Sequence, residues 1–494
     1  MNQDNGGIIG KINTPTQTVA SGVWSIEQQF EAQSSSIWPL AFPRTTFTNS
    51  CRYDDGSDDY LSKTFGSSGN RKTWSFSTWV KRSHLADGNM NIIGTDYSGS
   101  GEAYLLFRSG EQLMYGQYEG GGASNNYSFQ TNKAFRDTSA FYHILFVWDT
   151  TQSTSSDRMK LYVNGSQITS FSSSSYPSLN LDGVWNSNRV HYVGDDAIDG
   201  TNFDGYLAET IFVDGQALTP TSFGATNPVT NIWEPIAYTG TYGTNGFKLD
   251  YSDSSNLGDD TSGNGNDFTV NNLTSIDQST DTPSNNFAIG NILTKGTIGA
   301  STASEGALKA TSGQASWETL FGTIAVNSGK WYAEFKCGAT GTQFGVIDID
   351  QATVHDIYGG SQSRGWGYDN DGTLYNNASS QSGTYASYTA NDIIGVALDM
   401  DNHNVYFHKN GTYQNSGDPT SGASGTGAKS ITAGYNYTFF FGAYNGNMSA
   451  NFGNGHFGTT DITSAGSNGN GSLFEYDVPT GYYALNTNNL KGQS

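Results

Sequence analysis

The chain has 494 residues, enough for two or three domains. Only 14% of them are charged against a typical ~25%, while aromatics reach 13% and glycines number 62. That balance all but excludes long helices and predicts an all-β chain of short aromatic strands joined by polar, uncharged loops. The formal net charge is −22, from 45 acidic and 23 basic residues, and no Lys/Arg cluster occurs. Nucleic acid is therefore excluded as an electrostatic partner, and anionic membrane surfaces are avoided. The acidity itself reads as solubility or as divalent-cation binding. No apolar run reaches ~18 residues, so membrane insertion is not expected. Residues 1–20 hold no apolar core of signal-peptide length, as expected of a chain made in a cytoplasm. Cys51 and Cys337 are far apart and read as small buried hydrophobes rather than a disulfide.

Residues 1–44 form a separate segment. MNQDNGGIIGKINTPTQTVASG is polar and broken by Gly and Pro, so it should be extended. Ser25-Ile26-Glu27-Gln28 has capping-box form and predicts a short helix to about Ala32. Val23, Ile26 and Phe30, beside Trp24, make an apolar stripe too short to fold alone. It is expected either to lie on its own domain or to anchor the chain in a larger assembly.

Residues 45–235 read as one sandwich. Trp74-Ser75-Phe76-Ser77-Thr78-Trp79-Val80 alternates with period two. Further strands are expected at Ala103–Arg108, Leu113–Tyr118, Tyr142–Asp149, Met159–Val163 and Tyr206–Val213, with Asn164-Gly165 as a turn. TWSFSTWVKRS, SAFYHILFVWDTTQSTSSDRMKLYVNGSQI and NFDGYLAETIFVDGQALTPTSFG, in that order, resemble the LamG, concanavalin A-like jelly-roll family. Residues 236–285 read as a connector. Gly246 to Tyr251 is a candidate strand, DQSTDTPSNN (277–286) has linker composition, and the acidic Gly/Asn loop at 259–267 resembles one common beside LamG domains.

Residues 286–494 carry a second set of motifs. In NDIIGVALDMDNHNVYFHKNG (391–411), Ile394, Val396, Leu398 and Met400 line one face. Gly395 and Ala397 keep the other face small, so this strand should lie between two layers. Asp401-Asn402-His403 supplies the turn, and Val405 to His408 return. With GKWYAEFKC, FGVIDID, SRGWGYDNDGTLYNN and YTFFFGAYNGNMSANFGNGHF in order, this hairpin resembles the SPRY family of β-sandwich recognition modules. The insert DITSAGSNGNGS (461–472) departs from a minimal SPRY domain. The predicted fold class is thus all-β: two tandem antiparallel sandwiches behind a short N-terminal segment.

Concanavalin A-like folds also serve glycoside hydrolases, which makes the carboxylates of this chain candidates for catalysis. A retaining hydrolase of that kind needs alternating carboxylates on one strand face. Asp348-Ile349-Asp350 supplies two on a shared face and no third, and Asp399-Met400-Asp401 falls at a turn. None of the seven histidines forms a metal-binding pair, and His143 reads as a core histidine. No catalytic residue is assigned. Calcium is a candidate ion at Asp259, Asp260, Asn264, Asn266 and Asp267, five oxygen-bearing side chains within nine positions. Asp195, Asp196 and Asp199 are a second candidate; Asx-rich turns without metal are the alternative. Loop tyrosines beside amides suit sugars. Tyr97, Tyr118 and Tyr127 fit in the first sandwich, and Tyr358, Tyr375, Tyr385 and Tyr444 in the second. The preferred ligand set is Tyr358, Tyr375 and Tyr385 for stacking, with Asn376 and Asn377 for hydrogen bonding. The strand tryptophans Trp74, Trp79, Trp148, Trp331 and Trp366 read as core.

LamG followed by SPRY, behind a GxWSxxxQ-like segment at 22–29, resembles virion proteins of tailed bacteriophages, especially marine ones. The resemblance implies a non-enzymatic fibre or appendage protein that resides in the virion. Residues 1–44, with Val23, Trp24, Ile26 and Phe30, would attach it to other virion proteins. The sandwiches would present loops to a host-surface glycan or protein, and a homotrimer is a candidate assembly although no heptad repeat encodes one. The alternatives are a purely structural head or tail component and a glycan depolymerase.

Overall fold

A computed structural model describes residues 45–492 apart from 86–87, 96–100, 120–125, 197–201, 229, 295–300, 340, 459 and 463–464. The expected N-terminal helix, with Val23, Trp24, Ile26 and Phe30, lies outside the described residues, as do Tyr97 and Asp199.

The chain is all-β, with its sheets arranged as sandwiches. In the first sandwich one antiparallel sheet runs Ser166–Ile168, Met159–Val163, Tyr142–Asp149, Thr73–Arg82, Gly205–Asp214, Ser50–Tyr53, Gln278–Ser279. Phe247–Leu249 also pairs with Gly205–Asp214. The other sheet runs Phe171–Ser175, Tyr127–Ala134, Gln112–Glu119, Gly101–Phe107, Met90–Thr95, Val190–Val193, Tyr60–Thr64, Thr269–Asn271. Residues 236–285, expected as a connector, therefore donate strands to both sheets. Alternating aromatics from the two inner faces meet in one core around Trp74, Tyr115, Phe129, Phe146, Trp148 and Phe212. Trp74 stacks on Trp148 at 6.1 Å between ring centroids. Each such side chain contributes about 1.5–3 kcal/mol when fully buried. Asn164 and Gly165 both have positive φ (48° and 77°), which closes the two-residue hairpin there.

The second sandwich is organised by one long strand, Tyr437–Asn451. Its first half pairs with Thr342–Asp348 and its end pairs with Lys330–Cys337. Lys309–Phe321 runs along its other edge. The hairpin of Ile393–Asp399 and Asn404–Lys409 forms as expected, in the register Ile394↔Lys409 to Asp399↔Asn404, with the first strand wholly buried. His403 occupies its turn at φ 57°. The register of Lys309–Phe321 slips between Ser312 and Trp317, where five steps on this strand face two on its partner. Such a bulge bends the edge and re-aims the side chain that follows it.

Phe47–Leu218 and Gly240–Ser494 form one compact unit that contains both sandwiches. Polar contacts link them. Arg52, held within the first sandwich by Asp277, reaches Glu305 of the second at 3.0 Å, and Lys81, paired with Asp281 at 2.6 Å, reaches the Phe287 carbonyl at 2.8 Å. The Tyr206 hydroxyl donates to the Gly306 carbonyl at 3.0 Å. The polar run 277–286, with the composition of a linker, is therefore seated in this junction, where Asp281 is 1% and Thr282 0% exposed. In the other unit, Thr219–Thr239 contains a small hairpin of Gly224–Thr226 with Trp233–Pro235, beside a Phe223–Tyr238 stack. Among the described residues no helix is long and apolar enough to cross a membrane.

Candidate functional site

The edge of the second sandwich beside the bulge carries a row of four aromatic rings. Trp317 lies directly across the ladder from Tyr444. Ring centroids are 5.9 Å apart for Tyr444–Trp317, 5.7 Å for Trp317–Tyr358 and 5.7 Å for Tyr358–Tyr375. Tyr444 is 41% exposed and the other three are half-buried, so each ring is held in place yet offers surface.

The row is built locally. Buried His355 faces buried Glu318 at 3.3 Å, and Thr319 donates its N–H to the His355 carbonyl at 2.9 Å and its hydroxyl to the Ile357 carbonyl at 2.5 Å. Loop 355–358 is thereby stitched to the strand that carries Trp317, which brings Tyr358 against it. Gly359 and Gly360 then let the loop lie flat. A Cβ on Gly359 would meet the Phe440 ring at 2.3 Å, and one on Gly360 would meet Tyr375 Cβ at 2.7 Å. The Gly360 N–H donates to Gln343 Oε1 at 2.9 Å. Burial pushes the Tyr375 hydroxyl above its ordinary pKa, so it stays a neutral donor and acceptor.

Of the residues expected to bind ligand, the structure brings Tyr358 and Tyr375 together. Tyr385 is placed elsewhere, against Tyr368 at 5.4 Å and Phe407 at 6.4 Å, and burial pushes its hydroxyl up to about 12. Its ring packs on those two and does not join the row. Asn376 is also committed internally, its amide donating to the carbonyls of Ser363 (3.2 Å) and Gly365 (2.8 Å). Asn377 is exposed, with its backbone in the left-handed region at φ 52°. Sequence reasoning missed Trp317 altogether. Its signal was a tryptophan placed straight after the Gly/Ser break TSGQAS.

The carboxylate pair Asp348/Asp350 does not share a strand face. The strand Thr342–Asp348 ends there, Asp348 caps the short helix Ile349–Gln351, and its carboxylate holds Arg364 at 2.5 Å. Asp399 is likewise buried, paired with Lys330 at 2.9 Å. His143 is buried with Ser77 at 2.9 Å, and burial lowers its pKa to about 3. Trp74, Trp79, Trp148 and Trp331 are core, whereas Trp366 is half-buried under the Lys429 ammonium.

The acidic loop 259–267 closes on itself. Asp260 Oδ1 accepts the N–H groups of Lys248 and Ser262, and Oδ2 accepts Ser262 Oγ and the Asn266 N–H, all at 2.8–2.9 Å. Asp267 accepts the Asp260 N–H at 3.0 Å, and the amides of Asn264 and Asn266 both donate to the Gly246 carbonyl. Only Asp259 is outside this lattice of bonds. A calcium ion takes about six to eight oxygens, and here both oxygens of Asp260 already accept hydrogen bonds within the loop. In the second candidate, Asp195 Oδ1 accepts the Asp196 N–H at 2.7 Å. Among the described residues, Asp55, His84 and Asp204 are the group whose ligating atoms lie within 4.8 Å of one another.

Residues 55–222 match the family model of the concanavalin A-like lectin/glucanases superfamily, and residues 330–450 match that of the SPRY domain. No curated protein matches the chain. Among solved structures, the SPRY domain of human HERC1 is similar at 20% identity over 32% of this chain and 90% of that one, with a TM-score of 0.23. A protein of Bacteroides ovatus ATCC 8483, described as carbohydrate binding, is similar at 18% identity over 46% of this chain and 59% of that one, with a TM-score of 0.33. The heptameric SAP-like pentraxin of Limulus polyphemus is similar at 14% identity over 42% and 90%, with a TM-score of 0.26. The chain carries a concanavalin A-like, LamG-type domain followed by a SPRY domain.

Proposed function

We propose that the protein is a non-enzymatic glycan-recognition protein that acts as a tailed-phage fibre or appendage, attached through residues 1–44. The observation that carries the recognition part is the row Tyr444–Trp317–Tyr358–Tyr375. Contiguous half-exposed rings, tilted 50°, 43° and 72° to one another, present apolar surface to pyranose faces, and exposed Asn377 lies in the turn just beyond Tyr375 to bond hydroxyls. Such a row suits an oligosaccharide chain better than a single sugar. The virion part rests on the order of the two domains and on the GxWSxxxQ-like segment. The absence of a catalytic role rests on carboxylates that are spent on internal partners.

The test is binding of the full chain to host-envelope polysaccharide, with reducing ends followed in the same samples. Trp317→Ala or Tyr358→Ala should each weaken binding by about 1–2 kcal/mol, roughly five- to thirtyfold, with no change in fold. Tyr385→Ala should cost stability rather than affinity. No reducing ends should be released. Unchanged binding in the Trp317→Ala, Tyr358→Ala double variant would sink the row as the site, and no binding by the parent protein would favour a structural virion component. Loss of particle incorporation on deletion of residues 1–44 is the matching test of the anchor.

A further inference from the structure

Three neighbouring strands of the first sandwich end at the same level. Tyr53, Gly205 and Arg82 lie side by side in the ladder, so Asp55, Asp204 and His84, one or two residues beyond them, come together at the rim. A Cβ on Gly205 would meet the Lys81 carbonyl at 2.3 Å, so glycine lets the strands close up there. One ligating atom from each of the three side chains lies within 4.8 Å of the other two. The loop that carries Asp55 is fixed by its neighbours. Asp54 Oδ1 accepts the Gly56 N–H at 2.9 Å, and the Asn202 amide donates to Asp58 Oδ1 at 2.9 Å. Asp54 Oδ2 accepts the N–H of Glu305, in the second sandwich, at 2.6 Å.

Asp204 has one oxygen met and one unmet. The residue is 1% exposed, and the Ser83 hydroxyl donates to its Oδ1. Its Oδ2 accepts no hydrogen bond among the described residues and faces His84 Nδ1 at 3.7 Å. That separation is beyond a hydrogen bond. It is close to the roughly 3.4 Å between two ligand atoms of a tetrahedral ion with bonds of ~2.1 Å. Among the described residues no lysine or arginine pairs with Asp204 or Asp55. A buried carboxylate oxygen without a donor or counter-charge is costly, and a cation supplies what it lacks. Asp55 is exposed and His84 half-buried, so an ion reaches the place from solvent.

We propose that Asp55, His84 and Asp204 bind a divalent transition-metal ion of the zinc class, with water completing its shell. The donor set decides the class. An imidazole nitrogen beside two carboxylates suits zinc, which works with three protein ligands of this mixture, whereas calcium and magnesium take oxygen alone. The Ser83 hydroxyl, by holding Oδ1, turns Oδ2 towards the ion, as partners of metal ligands commonly do. The ion would clip three strand ends to one another. It would also brace the loop whose Asp54 holds the Glu305 N–H, so its role is structural and reaches the junction of the two sandwiches.

Strip the full chain, free of any histidine tag, with a chelator and titrate it at pH 7 with zinc, calcium and magnesium chlorides in a calorimeter. One equivalent of zinc should bind, more tightly than calcium or magnesium, and should raise the melting temperature. Cobalt chloride, as a visible probe, should give an absorption band that zinc displaces. His84→Ala and Asp55→Ala change side chains that are not buried, so both variants should fold. Each should lower zinc affinity by at least about tenfold, the loss expected even for a partner of a ligand, and should abolish the gain in melting temperature. The cobalt band should vanish in His84→Ala. Asp204→Asn keeps an acceptor for the Ser83 hydroxyl and should behave likewise; if it does not fold, the two other variants decide. Zinc binding that is equal in the parent and in the His84→Ala, Asp55→Ala double variant overturns the proposal, because the ion then sits elsewhere. Tighter binding of calcium than of zinc overturns the class of ion, and no binding of zinc leaves His84 and Asp204 as an ion pair alone.

Discussion

Asp59 buries a carboxylate whose Oδ2 accepts the Asp54 N–H at 3.1 Å while Oδ1 has no hydrogen-bond partner. It faces a cavity of about 220 Å³ lined also by Arg52, Asp277 and Glu305. Burial, then the charges of Asp277 and Asp54, push its pKa up to about 7. The unfolded value is near ~3.9, so the folded chain holds this proton more tightly than the unfolded one. That contribution to stability is complete below about pH 4 and is lost as pH rises through 7. Asp59→Asn keeps the bond to Asp54 and removes the buried charge. It should stabilise the protein by about 2–4 kcal/mol at pH 8, with the gain vanishing towards pH 4, in chemical denaturation followed at both pH values. Glu102, Glu209 and Glu334 are each pushed to about 7, with burial the largest cause. The parent protein should therefore melt at a lower temperature at pH 8 than at pH 5.

The aromatic row depends on one element, the loop 355–361, lying flat on the strand that follows the bulge. Gly359 permits this because any Cβ there would strike the buried Phe440 ring. Gly359→Ala should cost about 1–3 kcal/mol by overpacking, read as a lower melting temperature, and should weaken polysaccharide binding by displacing Tyr358. If binding held at full strength in that variant, the loop would not position the row. Much of the element level was legible in the sequence. The alternation in Thr73–Arg82, the Asn164-Gly165 turn and the two-faced apolar strand Ile393–Asp399 each follow from side-chain period and turn chemistry. The bulge was not, because its extra residues, drawn from a polar Gly/Ser run, look the same in sequence whether they form a loop or swell a ladder. Nor was the fate of Tyr385, whose partners Tyr368 and Phe407 come from strands on either side of it in the chain. Asp348-x-Asp350 misled because the shared-face rule holds only while the strand continues, and the strand stops at Asp348.

At the scale of the whole molecule, the polar strip 277–286 looks like a linker because composition cannot show a counter-charge lying some two hundred residues away. Lys81 is fully buried, and its ammonium donates to Asp281 Oδ2 (2.6 Å), Asn286 Oδ1 (2.8 Å) and the Phe287 carbonyl (2.8 Å). An ammonium has three donors, so every one is met. Arg52, also buried, holds Asp277 and Glu305 and donates to the Gly458 carbonyl at 3.1 Å. Separating the sandwiches would take Glu305 and the Gly458 carbonyl from Arg52 and the Phe287 carbonyl from Lys81, leaving buried donors unmet, which links the unfolding of one sandwich to that of the other. The two-sandwich unit should therefore show one main calorimetric transition, with calorimetric and van't Hoff enthalpies in agreement. Lys81→Met strands Asp281 as a buried charge and should cost about 3–5 kcal/mol, whereas adding Asp281→Asn should recover much of the loss. Two separable transitions in the parent protein, one for each sandwich and neither shifted by Lys81→Met, would show that the junction does not couple them. A single transition means that the aromatic-row edge and the LamG-type sandwich unfold as one cooperative unit, so a substitution that destabilises one sandwich lowers the melting temperature of both.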